Sequence, residues 1–288
     1  MRTEELRIEE SEMRHEVAKN APWPSEREVA DQVPIDVAPA EARLALRSVP
    51  LWFHTFALNR KDGIYTPGVA RDHGYRLASI PDSFDGLSVL DVGAFDGFYS
   101  FLAEVRGAAR VLAVDNEQYV QWVRDRWGVK LAGGEGFHAI KRLLASEVAY
   151  RRMDAYALDR LDARFDFIFC FGLLHRVEDP LGLLGVLTRR LAEGGRMLIE
   201  TYGVNGDGTG ADSAPRIPAP GEVYPRDRFV YWQFSSGALA NLVACTESSP
   251  FELHATPVVA RHPRIIGLLR RGDTQGARLP DGVAPEAG

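Results

Sequence analysis

The chain has 288 residues, of which 45% are hydrophobic and 26% charged, with a formal net charge of -6. This suits a soluble globular protein with a sizeable core, in one large or two modest domains, and excludes a fibrous or wholly disordered chain. The acidic excess argues against a mainly electrostatic grip on nucleic acid, and two cysteines, Cys170 and Cys245, are too few for a disulfide framework or a Cys-x-x-Cys metal site.

The first residues are rich in Glu and lack the apolar stretch of an export signal, and no apolar run approaches membrane-spanning length. A reducing cytoplasm is the expected location, with no membrane contact. Within residues 1–20, Leu6, Ile8, Met13 and Val17 recur at roughly helical spacing, which predicts an amphipathic helix for packing or for a possible homodimer. Ser25 and Glu28 spell a capping box that starts a second, short helix, and another is expected over Pro39 to Arg47. Trp52-Phe53-His54-Thr55-Phe56 and Arg60 to Gly68 then interleave aromatic and polar groups, which suits a lid or substrate wall and equally suits core packing. Residues 1–85 are therefore expected to form a helical cap with a substrate wall, and 86–271 the main domain.

From Leu87 onward apolar runs alternate with helix-length segments, the signature of an α/β fold with a doubly wound parallel sheet. Strands are expected at 88–92, 110–114, 149–153, 165–171 and 195–201. The first runs into Asp91-Val92-Gly93-Ala94-Phe95-Asp96-Gly97, a strand, tight turn and helix start. There Gly93 lets backbone approach a ligand, and Gly97 lets the helix pack close to the strand. The second ends in Asp115, about 20 residues after the glycines, where a carboxylate suits paired ribose hydroxyls. The third ends near Asp154, either at a ligand or as a helix cap. Phe165 to Gly172 is nearly all apolar after Asp166 and is expected to be central. It opens into Leu173 to Pro180, followed by a helix over 181–192 closed by Gly194-Gly195. Residues 203–221 carry no apolar period and suggest a lid loop, so that an insert is expected near 203–235. Ser236 is expected to cap a short helix, a strand pair around 251–260 to complete the sheet, and 272–288 to be a disordered tail.

The run D-V-G-A-F-D-G followed by V-L-A-V-D resembles the cofactor turn of class I S-adenosylmethionine (SAM) methyltransferases. The ordered motifs W-x-H, R-K-x-G, T-P-G, D-V-G-x-F-D-G-F, F-D-x-I-F-x-x-G-L-L-x-x-x-x-D-P, E-T and a late Y-W span about residues 50 to 250. They resemble the subgroup related to the transferase that carboxymethylates wobble 5-hydroxyuridine in tRNA. The resemblance implies a Rossmann-like class I methyltransferase sheet and SAM as cofactor. The cofactor would be held by Asp91, Gly93, Ala94, Phe95, Asp96, Gly97, Asp115, Asn116, Asp154, Ala155 and Phe171. Phe95 stands where the commonest pattern has its middle glycine. His175 stands where the carboxymethyl transferase has a tyrosine that helps hold a carboxylated cofactor, while Lys61 matches the family lysine that grips the same carboxylate.

These features make O-methylation of a small hydroxylated metabolite or sugar-containing natural product the leading expectation, with plain SAM, a small-molecule acceptor and no metal. A tRNA wobble-uridine transferase and a SAM-binding protein without turnover are the alternatives. An alcohol acceptor must lose a proton, a task for a histidine near neutrality. His175, at the carboxyl end of the central strand, is the first candidate and His54 the second. Trp52, Lys61, Tyr65, Arg176, Tyr231 and Trp232 are the expected substrate contacts, whereas His138, His254 and His262 are expected on the surface or in packing.

Overall fold

The computed structural model describes residues 23–70, 73–204, 214–246, 248, 250–259 and 262–272. The helix expected in 1–20, the centre of the expected lid loop and nearly all of the expected tail lie outside the described residues. Helix α1 (Glu26–Ala30) begins as the capping box dictates, the Ser25 hydroxyl accepting from the Glu28 N–H and the Glu28 carboxylate from the Ser25 N–H. Helix α2 (Pro39–Ser48) starts on a proline whose missing N–H would have been unsatisfied there anyway. The hairpin of β1 (Ala57–Asn59) and β2 (Ile64–Tyr65) and helix α3 (His73–Leu77) follow, three short elements that the sequence pattern does not announce.

The main sheet then begins with β3 (Ser88–Val92), α4 (Phe98–Val105), β4 (Arg110–Asp115), α5 (Glu117–Trp127), α6 (Glu135–Leu144) and β5 (Ala149–Arg152). It continues through β6 (Phe165–Phe171), α7 (Pro180–Arg190), β7 (Leu191–Tyr202), α8 (Ser236–Ala244), β8 (Glu252–Ala255), β9 (Val258–Val259) and β10 (His262–Arg270). The strand order is β5-β4-β3-β6-β7-β10-β8, with β9 paired to β10. Strands β5, β4, β3, β6 and β7 are parallel, whereas β10 runs antiparallel to both of its neighbours β7 and β8.

Strand β6 is central, as its apolar run requires. Phe167, Phe169 and Phe171 face one layer, which also holds Phe98, Phe101 and Phe137. Ile168 and Cys170 face the other, with Leu183, Leu187 and Leu239. The first layer also takes in Val29, Trp52 and Phe56, so the N-terminal segment and the sheet share one apolar core.

Three boundary expectations are corrected. Helix α7 stops at Arg190, and Gly194 and Gly195 lie inside β7 rather than closing the helix. Phe165 pairs with Leu191 but Phe167 with Arg196, so 192–195 bulges out, and Gly194 turns the chain at φ +68. Ser235, not Ser236, caps α8, its hydroxyl accepting from the Ala238 N–H at 3.0 Å. The final pair expected at 251–260 is only its outer part: β10 reaches Arg270 and inserts between β7 and β8. Among the described residues no helix is long and apolar enough to cross a membrane.

Candidate active site around the turn after β3

The turn hangs from β4: the Gly93 and Ala94 N–H groups both donate to the Val114 carbonyl, at 2.9 and 3.3 Å. Its two glycines serve different ends. At Gly93, φ +82, a side chain would meet nothing within 4 Å. At Gly97, φ +81, a Cβ would stand 2.5 Å from the Phe137 ring. Gly97 therefore admits α6 rather than the adjoining strand, correcting the sequence expectation. Phe95 adopts φ +51, the left-handed conformation a middle glycine would supply freely, at a cost of about 1–2 kcal/mol. Its ring offsets this by stacking on Phe53 at 4.0 Å and 13° and meeting Tyr119 and Trp122 edge-on at 4.9 and 5.6 Å.

Three buried acids surround the turn with three functions. Asp115 Oδ2 accepts the Phe95 N–H at 2.6 Å, so the acid faces the turn; burial, with Asp91 and Asp96 nearby, pushes its carboxyl well above the usual range. Asp91 accepts from the Ser100 hydroxyl at 2.6 Å and burial pushes it up to about 6. Asp96 accepts from the Phe53 and His54 N–H groups at 2.6 and 3.0 Å and burial pushes it up to about 7. Asp91 and Asp96, expected to contact a cofactor, each hold the protein together through Oδ2: one locks α4 to β3, the other fastens the N-terminal segment to the turn.

Asn116 caps α5 by accepting the Gln118 N–H at 3.0 Å, and its amide donates to Asp154 Oδ2 at 3.2 Å. Asp154 also caps the short 3-10 turn starting at Ala155, through the Tyr156 N–H at 2.9 Å. The ends of β4 and β5 are thus tied together beside Asp115, and of the two roles expected for Asp154 the structure shows the cap.

Past Phe171 and Gly172 the chain makes a second 3-10 turn, Leu174–Arg176. His175 is buried; its Nδ1 lies 3.2 Å from the Thr201 hydroxyl and accepts the Tyr202 N–H at 3.4 Å, leaving the proton on Nε2, which has no hydrogen-bond partner among the described residues. Burial, then Arg176, Arg264 and Arg76, hold it well below the usual imidazole range. With Nδ1 occupied and the ring buried, His175 is held neutral as a weak base, which counts against the general-base role expected of it. Its carbonyl accepts the Tyr231 and Trp232 N–H groups at 2.8 and 3.3 Å. Arg176 lies over the Trp122 ring at 4.5 Å and pairs with Asp227, which also accepts from Trp122 Nε1 at 2.9 Å. His175, Arg176, Tyr231 and Trp232 are therefore brought together. A cleft of about 370 Å³ opens beside them, lined by Gln118, Gln121, Arg124, Arg228 and Phe229 among others.

Four expected residues do not join this group. Trp52 is a core residue whose Nε1 donates to the Leu46 carbonyl at 3.2 Å. Lys61 stands exposed on the β1–β2 turn, and Tyr65 donates to Asp31 of the α1 cap at 3.0 Å under Arg27. His54 is buried among aromatic rings, 4.9 Å from the His73 ring and 5.8 Å from Tyr99, and is thereby packed as core. His138 and His254 are exposed, and His262 rests against Tyr224 at 4.4 Å.

The sequence reading missed a buried polar cluster at the ends of β6, β7 and β10. Glu200 accepts from Arg76 at 2.5 Å, Tyr75 at 2.8 Å and Arg264 at 3.4 Å. Arg76 also reaches the Tyr99 hydroxyl at 3.4 Å, and that hydroxyl lies 2.6 Å from His73 Nδ1. The available signal was an acid and an arginine, Glu200 and Arg264, inside otherwise apolar strands, since buried charges need partners.

A family model described as a methyltransferase domain matches residues 50–243. A tRNA U34 carboxymethyltransferase of Alteromonas mediterranea is 31% identical over 172 residues, 57% of this chain and 45% of the relative. One of Chromohalobacter salexigens is 30% identical over 243 residues, 78% of this chain and 66% of the relative. The chain spans about half the length of the first of these curated relatives. Among solved structures, the N-terminal domain of EvdMO1, in the presence of SAH and D-fucose, has a TM-score of 0.56 at 18% identity. The match covers 82% of this chain and 98% of that domain, and shows a shared fold.

Proposed function

The chain belongs to the methyltransferase-domain family, and on that premise we propose that it moves a methyl group from SAM to an oxygen of a small hydroxylated metabolite or sugar-containing natural product. The observation that carries this reading is the mutual orientation of turn and acid: Asp115 bonds the Phe95 N–H at 2.6 Å, next to a Gly93 with open space at its Cβ position. A carboxylate there suits ribose hydroxyls, and the open glycine admits a ligand against the backbone. Asn116, Asp154 and Ala155 would rim the adenine, and Phe171 would border the sulfonium side. The cofactor, when bound, supplies an electrophilic methyl carbon. The chain's share is alignment and exclusion of water, with an effective contribution of about 7 kcal/mol or more when the geometry is good.

A small polar acceptor is supported by the net charge of -6 and by the glutamines, arginines and phenylalanine lining the neighbouring cleft. Wobble-uridine carboxymethylation, the activity in the relatives' names, is the second reading. Lys61 on an exposed turn and His175 in the tyrosine position favour plain SAM over a carboxylated cofactor.

Calorimetry with SAM on the wild type and an Asp115→Ala variant tests the reading. The variant should bind about 10- to 100-fold more weakly, the loss of the hydrogen bonds this side chain would make to the ribose. A wild type that binds no SAM overturns it. SAH release with catechol, 4-nitrophenol and methyl glycosides tests the acceptor class, and salt-sensitive tRNA binding with tRNA-dependent turnover would instead support the second reading.

A further inference from the structure

The cleft beside the candidate site has walls of a different charge from the chain around it. Glu117, Gln121 and Arg124 recur along α5 at spacings of four and three, so they share one face of the helix, and that face is one wall. Arg228 and Phe229, on the segment ahead of α8, form the other, and the space between them is about 370 Å³, enough for a small ligand. The lining acid, Glu117, is paired with Arg152. Asp125 nearby has both oxygens engaged: Oδ1 accepts from the Gln121 amide at 2.6 Å, and Oδ2 lies 3.3 Å from Arg228 Nε. The lining arginines are less occupied. Arg124 is exposed and makes no ion pair or side-chain hydrogen bond with any described residue. Arg228 sets its guanidinium 5.0 Å from the centre of the buried Phe229 ring, and neither of its Nη groups makes a hydrogen bond with a described residue.

The cleft joins the candidate site directly. Asn116, which follows Asp115, caps α5, and the Gln118 amide in the first turn donates to the Arg176 carbonyl at 3.4 Å. Phe229 is tied to the same residue through Asp227, which accepts the Phe229 N–H at 3.0 Å and pairs with Arg176. From Gln118 to Arg124 the helix axis runs about 9 Å, so the cleft starts beside the carboxyl end of β4 and reaches the arginines roughly one small molecule further on.

Guanidinium forks match carboxylate and phosphate oxygens two at a time, and two of them on one cavity give it a local positive excess in a chain of net charge -6. We propose that this cleft seats an anionic group of the acceptor. The acceptor is then a hydroxylated molecule that carries a carboxylate or a phosphate monoester, gripped by Arg124 and Arg228 at the end of the cleft away from the cofactor turn. This rests on the small-molecule methylation reading above and narrows it from polar acceptors to anionic ones. Arg124 and Arg228 bind and select, and take no part in the transfer itself.

The test uses the full chain, with and without SAH, titrated calorimetrically with inorganic phosphate, D-glucuronate and D-glucose 6-phosphate, and with methyl glucoside as the neutral control. The anionic sugars should bind at least about tenfold more tightly than methyl glucoside, with affinity falling as salt is added. The double variant Arg124→Gln, Arg228→Gln should erase that preference. It should keep SAM affinity within about threefold, as expected of exposed side chains off the cofactor turn. SAH release should follow the same order, with the double variant losing efficiency on the anionic sugars through KM rather than kcat. Anions that bind no better than methyl glucoside overturn the proposal, and so does a preference that survives in the double variant. Binding of tRNA without binding of any small anion overturns it as well, in favour of a phosphodiester chain. A wild type that binds no SAM would sink the methylation reading, while the titrations without SAH would still decide what the cleft holds.

Discussion

Arg176 and Asp227 meet at 3.0 Å, joining the loop after the central strand to the segment that precedes α8. Trp122 of α5 donates to the same carboxylate, and the Phe229 N–H completes it at 3.0 Å. Burial by itself would raise Asp227, yet Arg176 and these hydrogen bonds hold it below the usual carboxylate range.

Removing that acid should be costly. Asp227→Ala strips Arg176 of its carboxylate, and breaking a buried pair costs about 3–5 kcal/mol. Because the folded-state value is lowered, this contribution is present above the unfolded value near 4 and is lost as pH falls through the lower folded one. Urea denaturation at neutral pH should show the loss, and a variant within about 1 kcal/mol of wild type would contradict it.

Asp96 and Asp91 carry the opposite sign. Raised to about 7 and about 6, they hold their protons more tightly folded than unfolded. Their contribution is whole below about pH 4 and is lost as pH rises through those values. The melting temperature should therefore fall between about pH 4 and 7. Asp96→Asn keeps an oxygen for both amides and should flatten that slope in scanning calorimetry; an unchanged slope would assign the effect elsewhere.

The two glycines of the turn should separate stability from binding. Gly97→Ala forces a methyl into Phe137 at positive φ, and should cost about 1–3 kcal/mol in denaturation experiments. Gly93→Ala meets no protein atom, so beyond backbone strain of about 1 kcal/mol its effect should appear as weaker SAM binding. Equal effects of the two on stability and affinity would refute the division.

Lys61→Ala should leave both SAM affinity and stability within about 0.5 kcal/mol of wild type, as expected of an exposed side chain on a turn. A clear loss of cofactor affinity in calorimetry would return this residue to the site.

The sheet and the glycine turn were legible because apolar runs and turn glycines are local signals. Asp115 was legible for the same reason, being fixed by its distance along the chain from Gly93. The Arg76–Glu200 contact was not, since 124 positions separate its members and neither lies in a motif of its own. His175 was located correctly at the end of β6, but no pattern in the sequence could report three arginines around it. Lys61 and Tyr65 misled because adjacency to a motif says nothing about which way a hairpin turns. Strand β10 was hidden by Pro263 and the arginines at both its ends.

The two moorings of the N-terminal segment, its amides on Asp96 and its guanidinium on Glu200, bear on how such an enzyme could be re-engineered. A foreign cap grafted onto this sheet would have to deliver two backbone donors and a cation to the same spots, or leave two interior acids stranded. New acceptor ranges are therefore more accessible by replacing single side chains within the existing cap than by swapping it wholesale.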